Sequence, residues 1–133
     1  GTDETAMAWV RQETGRAAGL PRVIGGIPLD EIGATGFGLA AAADAAQHLG
    51  GPRLDGARVA VQGFGAVGQH AARFLAAKGA ILVAASDTHG TITDSGGLDV
   101  AQAVGSEVDD LLGEEADVVG EGADPLEEHP GLV

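Results

Sequence analysis

Three glycines set between a short apolar segment and a helical one constrain this chain more than any other feature. Arg58-Val59-Ala60-Val61-Gln62 is apolar at its centre and rich in β-branched residues, which predicts a buried strand. Gly63-Phe64-Gly65-Ala66-Val67-Gly68 follows, then Gln69 to Gly79, where Val67, Ala71, Phe74 and Leu75 recur at helical spacing and predict one buried face. Glycines at such a strand-to-helix turn meet three needs of a dinucleotide. Gly63 permits the tight turn, Gly65 lets backbone approach a pyrophosphate, and Gly68 lets the helix lie close on its strand. The first helical amides have no intrahelical acceptor and carry the positive end of the macrodipole, so a diphosphate needs no lysine or arginine there.

In a chain with 23 glycines this spacing alone carries little weight, since a purely structural turn can produce it. Its surroundings add the rest. A second apolar strand is predicted at Ala80-Ile81-Leu82-Val83-Ala84-Ala85, followed by Ser86-Asp87. Asp87 lies 19 positions beyond Gly68, where the dinucleotide fingerprint expects an acid to accept hydrogen bonds from the adenosine ribose. The expected class is therefore α/β: a Rossmann-like dinucleotide-binding domain with a mostly parallel sheet, present only in part.

Composition bounds the remaining choices. At 133 residues and 44% hydrophobic content the chain suffices for one domain with a modest core. Large anchors are few, namely Met7, Trp9, Phe37, Phe64 and Phe74, so alanine and glycine must supply close contacts. The lack of cysteine excludes disulfides and thiolate metal sites, and the dispersed His48, His70, His89 and His129 show no metal-ligand spacing. No run approaches membrane-spanning length and no secretory signal opens the chain, which makes a cytoplasmic protein the default expectation. The net charge of −13 divides into −3 over residues 1–104, with ten acids against seven bases, and −10 over 105–133, with ten acids and no Lys or Arg. Such a chain lacks the basic footprint a nucleic acid requires, and its excess of acid points to a high-salt or halotolerant host.

Taken in order, Thr2-Asp3-Glu4 reads as a helix cap followed by acids favoured in a first turn, and helical spacing runs to Gly15, giving a first segment of residues 1–16. Trp9 is expected to pack. Residues 17–32 form a Gly/Pro-rich connector in which Val23-Ile24 predicts a short strand and close backbone contact with another domain or a ligand. Gly33-Ala34-Thr35-Gly36-Phe37-Gly38 leads into an alanine-rich helix from Leu39 to Leu49; from the residues alone Thr35 reads as a cap, with a hydroxyl for a ligand as the sharper alternative. Thr91-Ile92-Thr93 predicts a short strand between two turns, and Leu98 to Val104 a short helix. Asp94 and Asp99 read as solvated turn residues. The acidic tail, 105–133, is expected to be partly ordered, with one helix and one strand among Val108, Leu111, Leu112, Val118 and Val119.

The ordered set Gly1 to Val10, Gly25-Gly26, Ala34-Thr35-Gly36-Phe37-Gly38, Val59 to Gly68, Ser86-Asp87 and Gly97-Leu98-Asp99 resembles the glutamate dehydrogenase family and, more broadly, the glutamate, leucine, phenylalanine and valine dehydrogenases. The likeness runs through about Val104 and fades in the tail. It implies NAD(P)-dependent oxidative deamination of an L-amino acid to a 2-oxo acid and ammonia, with the 33–104 segment as the cofactor domain and an intact enzyme that is a homo-oligomer. It further implies that Thr35 meets the nicotinamide amide, that Gly63, Phe64, Gly65, Ala66, Val67 and Gly68 form the pyrophosphate turn, and that Ser86 and Asp87 lie at the adenosine ribose, Asp87 favouring NAD with NADP admitted. The family's catalytic lysine and aspartate find no match: the aspartate would fall just before Gly1, and the sole lysine, Lys78, follows the fingerprint. The chain is thus expected to be the cofactor-binding part of a two-domain enzyme, inactive alone. Departures at Ala66, where many members carry asparagine, and at Ile27 to Gly33 leave a second reading, a non-catalytic nucleotide-sensing or structural module.

Overall fold

The computed structural model describes residues 2–103 and 117–119. Asp3 opens the first helix, α1 (Glu4–Thr14): its carboxylate accepts the Ala6 amide at 2.7 Å, satisfying one of the donors a helix start leaves over. The helix closes at Gly15. Trp9, expected to pack, is 66% exposed, because α1 lies outside both hydrophobic clusters of the described chain.

The connector also departs from expectation. Val23-Ile24 forms no strand; Arg22–Ile24 is a single 3-10 turn, closed by Ile24 N to Pro21 O at 3.2 Å and Gly25 N to Arg22 O at 2.9 Å. Proline fixes φ at the entry, and with no extended neighbour to pair with, local turn bonds prevail. The close backbone contact is internal, Gly26 lying against Leu20 with no room for a side chain.

The alanine-rich helix α2 (Ala34–Gln47) begins five residues earlier than expected and takes in Thr35 and three of the segment's small residues. Its neighbour α3 (Ala66–Ala76) explains why. A Cβ on Gly36 would stand 2.6 Å from the Ala71 amide nitrogen and 2.7 Å from His70 Cβ, so glycine's cost inside a helix is offset by the close approach it allows. Further along, Phe37 meets Phe74 edge to face at 5.4 Å between centroids, and Lys78 Nζ donates to Asp44 Oδ2 at 2.6 Å. These contacts advance together along both helices, which therefore run side by side in the same direction.

The strands β1 (Arg58–Gln62), β2 (Ile81–Ser86), β3 (Thr91–Thr93) and β4 (Asp117–Val119) form one sheet in that order. β1 and β2 are parallel, joined through α3, and the register shifts between Val59 and Ala60. The α/β class expected from the sequence holds, with a small mixed sheet: β3, at Thr91–Thr93, runs antiparallel to β2, and β4 antiparallel to β3. The turn after β2 is the reason. Asp87 N donates to Gly90 O at 3.0 Å, and so short a connection cannot carry a parallel crossover. β4 supplies a strand at Val118-Val119; the rest of the expected order in 105–133 lies outside the described residues. Among the described residues β1 pairs on one side only, which leaves the strand that carries the glycine turn at a sheet edge.

Two clusters form the core. Phe64, Ala72, Leu82, Ala85, Ile92 and Leu98 make one; Ala40, Leu54, Leu75 and Ala80 make the other. α3 joins them by giving Ala72 to the first and Leu75 to the second. Its buried face is Gly68, Ala71, Ala72 and Leu75, so Val67, expected inside, is displaced toward solvent and Phe74 turns toward α2.

Two tests follow from the helix pair. Gly36→Ala is expected to destabilise by about 1–3 kcal/mol through overpacking, and Gly38→Ala, where a Cβ meets nothing within 4 Å, to stabilise by up to about 1 kcal/mol; urea unfolding of the two variants measures both. The Lys78 hydrogen bond, opposed by desolvation, holds the Asp44 carboxyl below its ordinary value. A depressed folded-state value stabilises above the unfolded carboxylate pKa, and the gain is lost as pH falls through the folded one. Asp44→Asn should therefore flatten the decline of the urea midpoint between neutral pH and the acid limb of carboxylate titration.

Candidate functional site

β1 delivers the chain to the turn at Gln62. Gly63 follows with φ 85°, a left-handed conformation that strains any residue with a side chain. The amides of Gly63 and Phe64 both donate to the Ser86 carbonyl, at 2.9 and 2.8 Å, which ties the turn to the end of β2. Phe64 is 3% exposed and packs into the core beside Leu82 and Ile92, while also bordering the cleft at the end of β2. It serves the site as the turn's anchor.

Gly65 caps α3 in an extended conformation and offers no side chain to the helix amides. The first ladder bond back to it comes from Gln69 N at 2.9 Å. Ahead of that bond, the amides of Gly65, Ala66 and Val67 donate to no protein carbonyl among the described residues. The glycines on either side of this opening differ in what demands them. A Cβ on Gly68 would overlap the Gly63 carbonyl oxygen and stand 3.0 Å from Val61 Cγ1, so packing requires glycine there. A Cβ on Gly65 would meet nothing within 4 Å.

The second wall comes from β2 and its turn. Gly63, Gly65, Gln69, Ser86, Asp87, Thr88 and His89 border an open cleft of about 550 Å³. Asp87 Oδ1 accepts the His89 amide at 2.7 Å and the Gly90 amide at 3.3 Å, with His89 Nδ1 3.5 Å away. Gln69 Nε2 donates to the Phe64 carbonyl at 3.1 Å and braces the turn from the helix side.

Thr35 is the second residue of α2 and exposed, so the cap reading fails: the cap position belongs to Gly33. With Ala66, Val67 and His70 it lines a narrow crevice between the first turns of α2 and α3. Because the two helices run in the same direction, both positive helix ends face this side of the sheet. His70 Nδ1 is buried there without a hydrogen-bond partner among the described residues.

The residues expected from the sequence thus gather around the first turn of α3: Gly63, Phe64, Gly65, Ser86 and Asp87 on the cleft, Thr35, Ala66 and Val67 on the crevice, Gly68 beneath. Gln69, Thr88 and His89 were not foreseen. For the last two a signal existed, since an Asp with glycine three residues on marks a tight turn whose middle residues project outward. A second cleft, of about 590 Å³, lies between α2 and α3 over the open edge of β1. Its walls, among them Leu39, Ala43, Leu54, Val59 and Leu75, are aliphatic and lack the converging polar groups of a small-molecule site, which marks it as a packing surface. Among the described residues no group of three or more His, Asp or Glu could hold a metal ion, and no helix is long and apolar enough to cross a membrane.

The likeness to known proteins falls on these same elements. Residues 25–123 match the Glutamate/Leucine/Phenylalanine/Valine dehydrogenase family, reaching past Val104, where the sequence likeness was expected to fade. The chain is 40% identical over 114 residues to a glutamate dehydrogenase of Aeropyrum pernix, covering 77% of this chain and 27% of that one. It is 40% identical over 108 residues to an NADP(+)-dependent glutamate dehydrogenase of Pyrobaculum calidifontis, covering 74% and 25%. A solved structure of hetero-hexameric glutamate dehydrogenase from Thermus thermophilus, with Leu bound, superposes with a TM-score of 0.58 at 33% identity, over 80% of this chain and 29% of that one. The chain therefore spans about a quarter of the length of the curated relatives it matches. With a glycine turn opening α3, a paired β2 behind it and a family match running through both, this chain belongs to the glutamate, leucine, phenylalanine and valine dehydrogenase family.

Proposed function

We propose that this chain is the dinucleotide-binding part of an enzyme that oxidatively deaminates an L-amino acid to a 2-oxo acid and ammonia with NAD or NADP. Gly65 carries the reading. The fold leaves open space where its side chain would be, and a glycine cap forgoes the hydrogen bond that Ser, Thr, Asp or Asn would give the helix. An anion seated on the Gly65, Ala66, Val67 and Gly68 amides accounts for both. A diphosphate fits this donor set, since neutral amides at a helix start hold phosphate without a cationic side chain.

Around that seat each residue has a distinct task. Gly63 and Gly68 keep the backbone low, Ser86 and Asp87 border the adenosine ribose, and Thr35 offers its hydroxyl to the nicotinamide amide across the crevice. When bound, the nicotinamide supplies a hydride acceptor; the chain's own contribution is to hold and orient it. The sole lysine does not take part. Lys78 lies twelve positions past Ala66, about 18 Å along the helix axis from the mouth, and is paired with Asp44. The proton-handling groups must come from elsewhere in the functional enzyme. The hexameric assembly of the Thermus relative and the exposed Trp9, Val23 and Ile27 support work within a larger assembly.

Titration of NADH fluorescence tests the seat. Gly65→Val is expected to weaken NADH by about tenfold or more, the side chain filling the approach to the amides, with no loss of thermal stability. Thr35→Val should weaken it about threefold, the size of one neutral hydrogen bond. Unchanged affinity in both variants overturns the assignment. Given saturating L-amino acid and NAD, the chain alone is expected to produce no NADH.

A further inference from the structure

Thr35 is exposed, yet the two glycines that bracket it in the first turn of α2 are not. Gly33 and Gly36 are buried, and both lie on the His70 side chain of α3. A Cβ on Gly33 would overlap the imidazole at Cγ, and one on Gly36 would stand 2.7 Å from His70 Cβ. Positions three apart share a helix face, so one turn of α2 is seated at both its ends on a single side chain. Phe74 flanks the same ring, with centroids 6.5 Å apart and planes at 28°, and Phe37 of α2 meets Phe74 in turn. The crevice beside them holds about 10 Å³ of free space, too little for the α2 turn to shift on its seat.

The imidazole serves here by its shape. Its Nδ1 is buried without a hydrogen-bond partner among the described residues, and such an atom costs stability rather than adding to it. What His70 supplies is a flat ring of fixed thickness between α2 and α3. We propose that His70 is a positioning residue for the nicotinamide end of the site: by seating Gly33 and Gly36 it sets the height and rotation of the turn that carries Thr35, and so the reach of the Thr35 hydroxyl toward a ligand held at the mouth of α3. The proposal rests on the dinucleotide reading of the site and deepens it. It gives His70 no contact with the cofactor.

The test separates the two ends of the ligand in the full chain: NADH, followed by fluorescence, carries the nicotinamide, and ADP-ribose, followed by calorimetry, lacks it. His70→Ala is expected to weaken NADH about threefold, as loss of the Thr35 hydrogen bond does, and to leave ADP-ribose within about twofold. Because His70 acts through Thr35, the double variant His70→Ala with Thr35→Val should weaken NADH by about threefold again, not by the product of about ninefold that independent sites give. His70→Phe keeps the ring and should bind NADH within about twofold of wild type, while Tm rises by about 3 °C or more as the unpartnered nitrogen is removed. Should His70→Ala unfold, His70→Leu, which refills volume without the flat shape, takes its place with the same expectations. Additive losses in the double variant, equal weakening of NADH and ADP-ribose, NADH affinity unchanged by His70→Ala, or NADH affinity lost in His70→Phe each overturn the proposal and leave the dinucleotide reading standing. Binding of neither ligand by the folded wild type overturns both.

Discussion

The contact on which the rest depends is that between Gly68 and the Gly63 carbonyl. No side chain fits there, so α3 can lie directly on the turn that begins it. That closeness aligns the helix start with the end of β1, while the amides of Gly63 and Phe64 fasten the same turn to the Ser86 carbonyl at the end of β2. The peptide group between Gly63 and Phe64 is thus held from below by a helix and, together with the group before it, from the side by a strand. The free amides of the helix mouth point outward because the ones before them are already engaged.

A second pair of small residues extends the principle to α2. Gly36 against His70 and Ala71 brings a second helix alongside the first, in the same direction. Parallel dipoles repel along their lengths, yet both positive ends then face one side of the sheet, where an anion gains from both. The aliphatic contacts of Ala40 with Leu75 and the Lys78–Asp44 hydrogen bond at the far end hold this arrangement against the repulsion. Alanine and glycine thus do more than fill space in a chain with few large side chains. They set the interaxial distance on which the crevice at Thr35 depends.

Much of this was legible beforehand. The β-branched run at Val59 and Val61, the apolar run from Ile81 and the glycine spacing between them gave β1, β2 and α3 close to their observed bounds, because a buried strand and a tight turn each demand residue types that little else demands. A helix cap at Thr2-Asp3-Glu4 was legible for the same reason, its function being local, and the structure makes Asp3 the residue that caps. The helical face was misread at Val67, since spacing shows that a helix has a buried side but the neighbours decide its rotation. Val23-Ile24 suited a strand by composition and became a turn for want of a partner. Thr35 read as a cap because the glycines before Leu39 look like helix breakers; only α3, packed against Gly36, makes a helix there favourable.

By itself the sequence determined the class of fold, the position of the glycine turn and the family, since these follow from backbone requirements that few residues satisfy. Tertiary structure alone decided that Phe64 packs into the core beneath the turn, that Thr35 and Ala66 share one crevice, and that Asp87 is held by its own turn amides beside His89. Each of these depends on which distant groups meet. A residue's neighbours along the chain say what it is able to do, and the groups packed against it select which of those things it does.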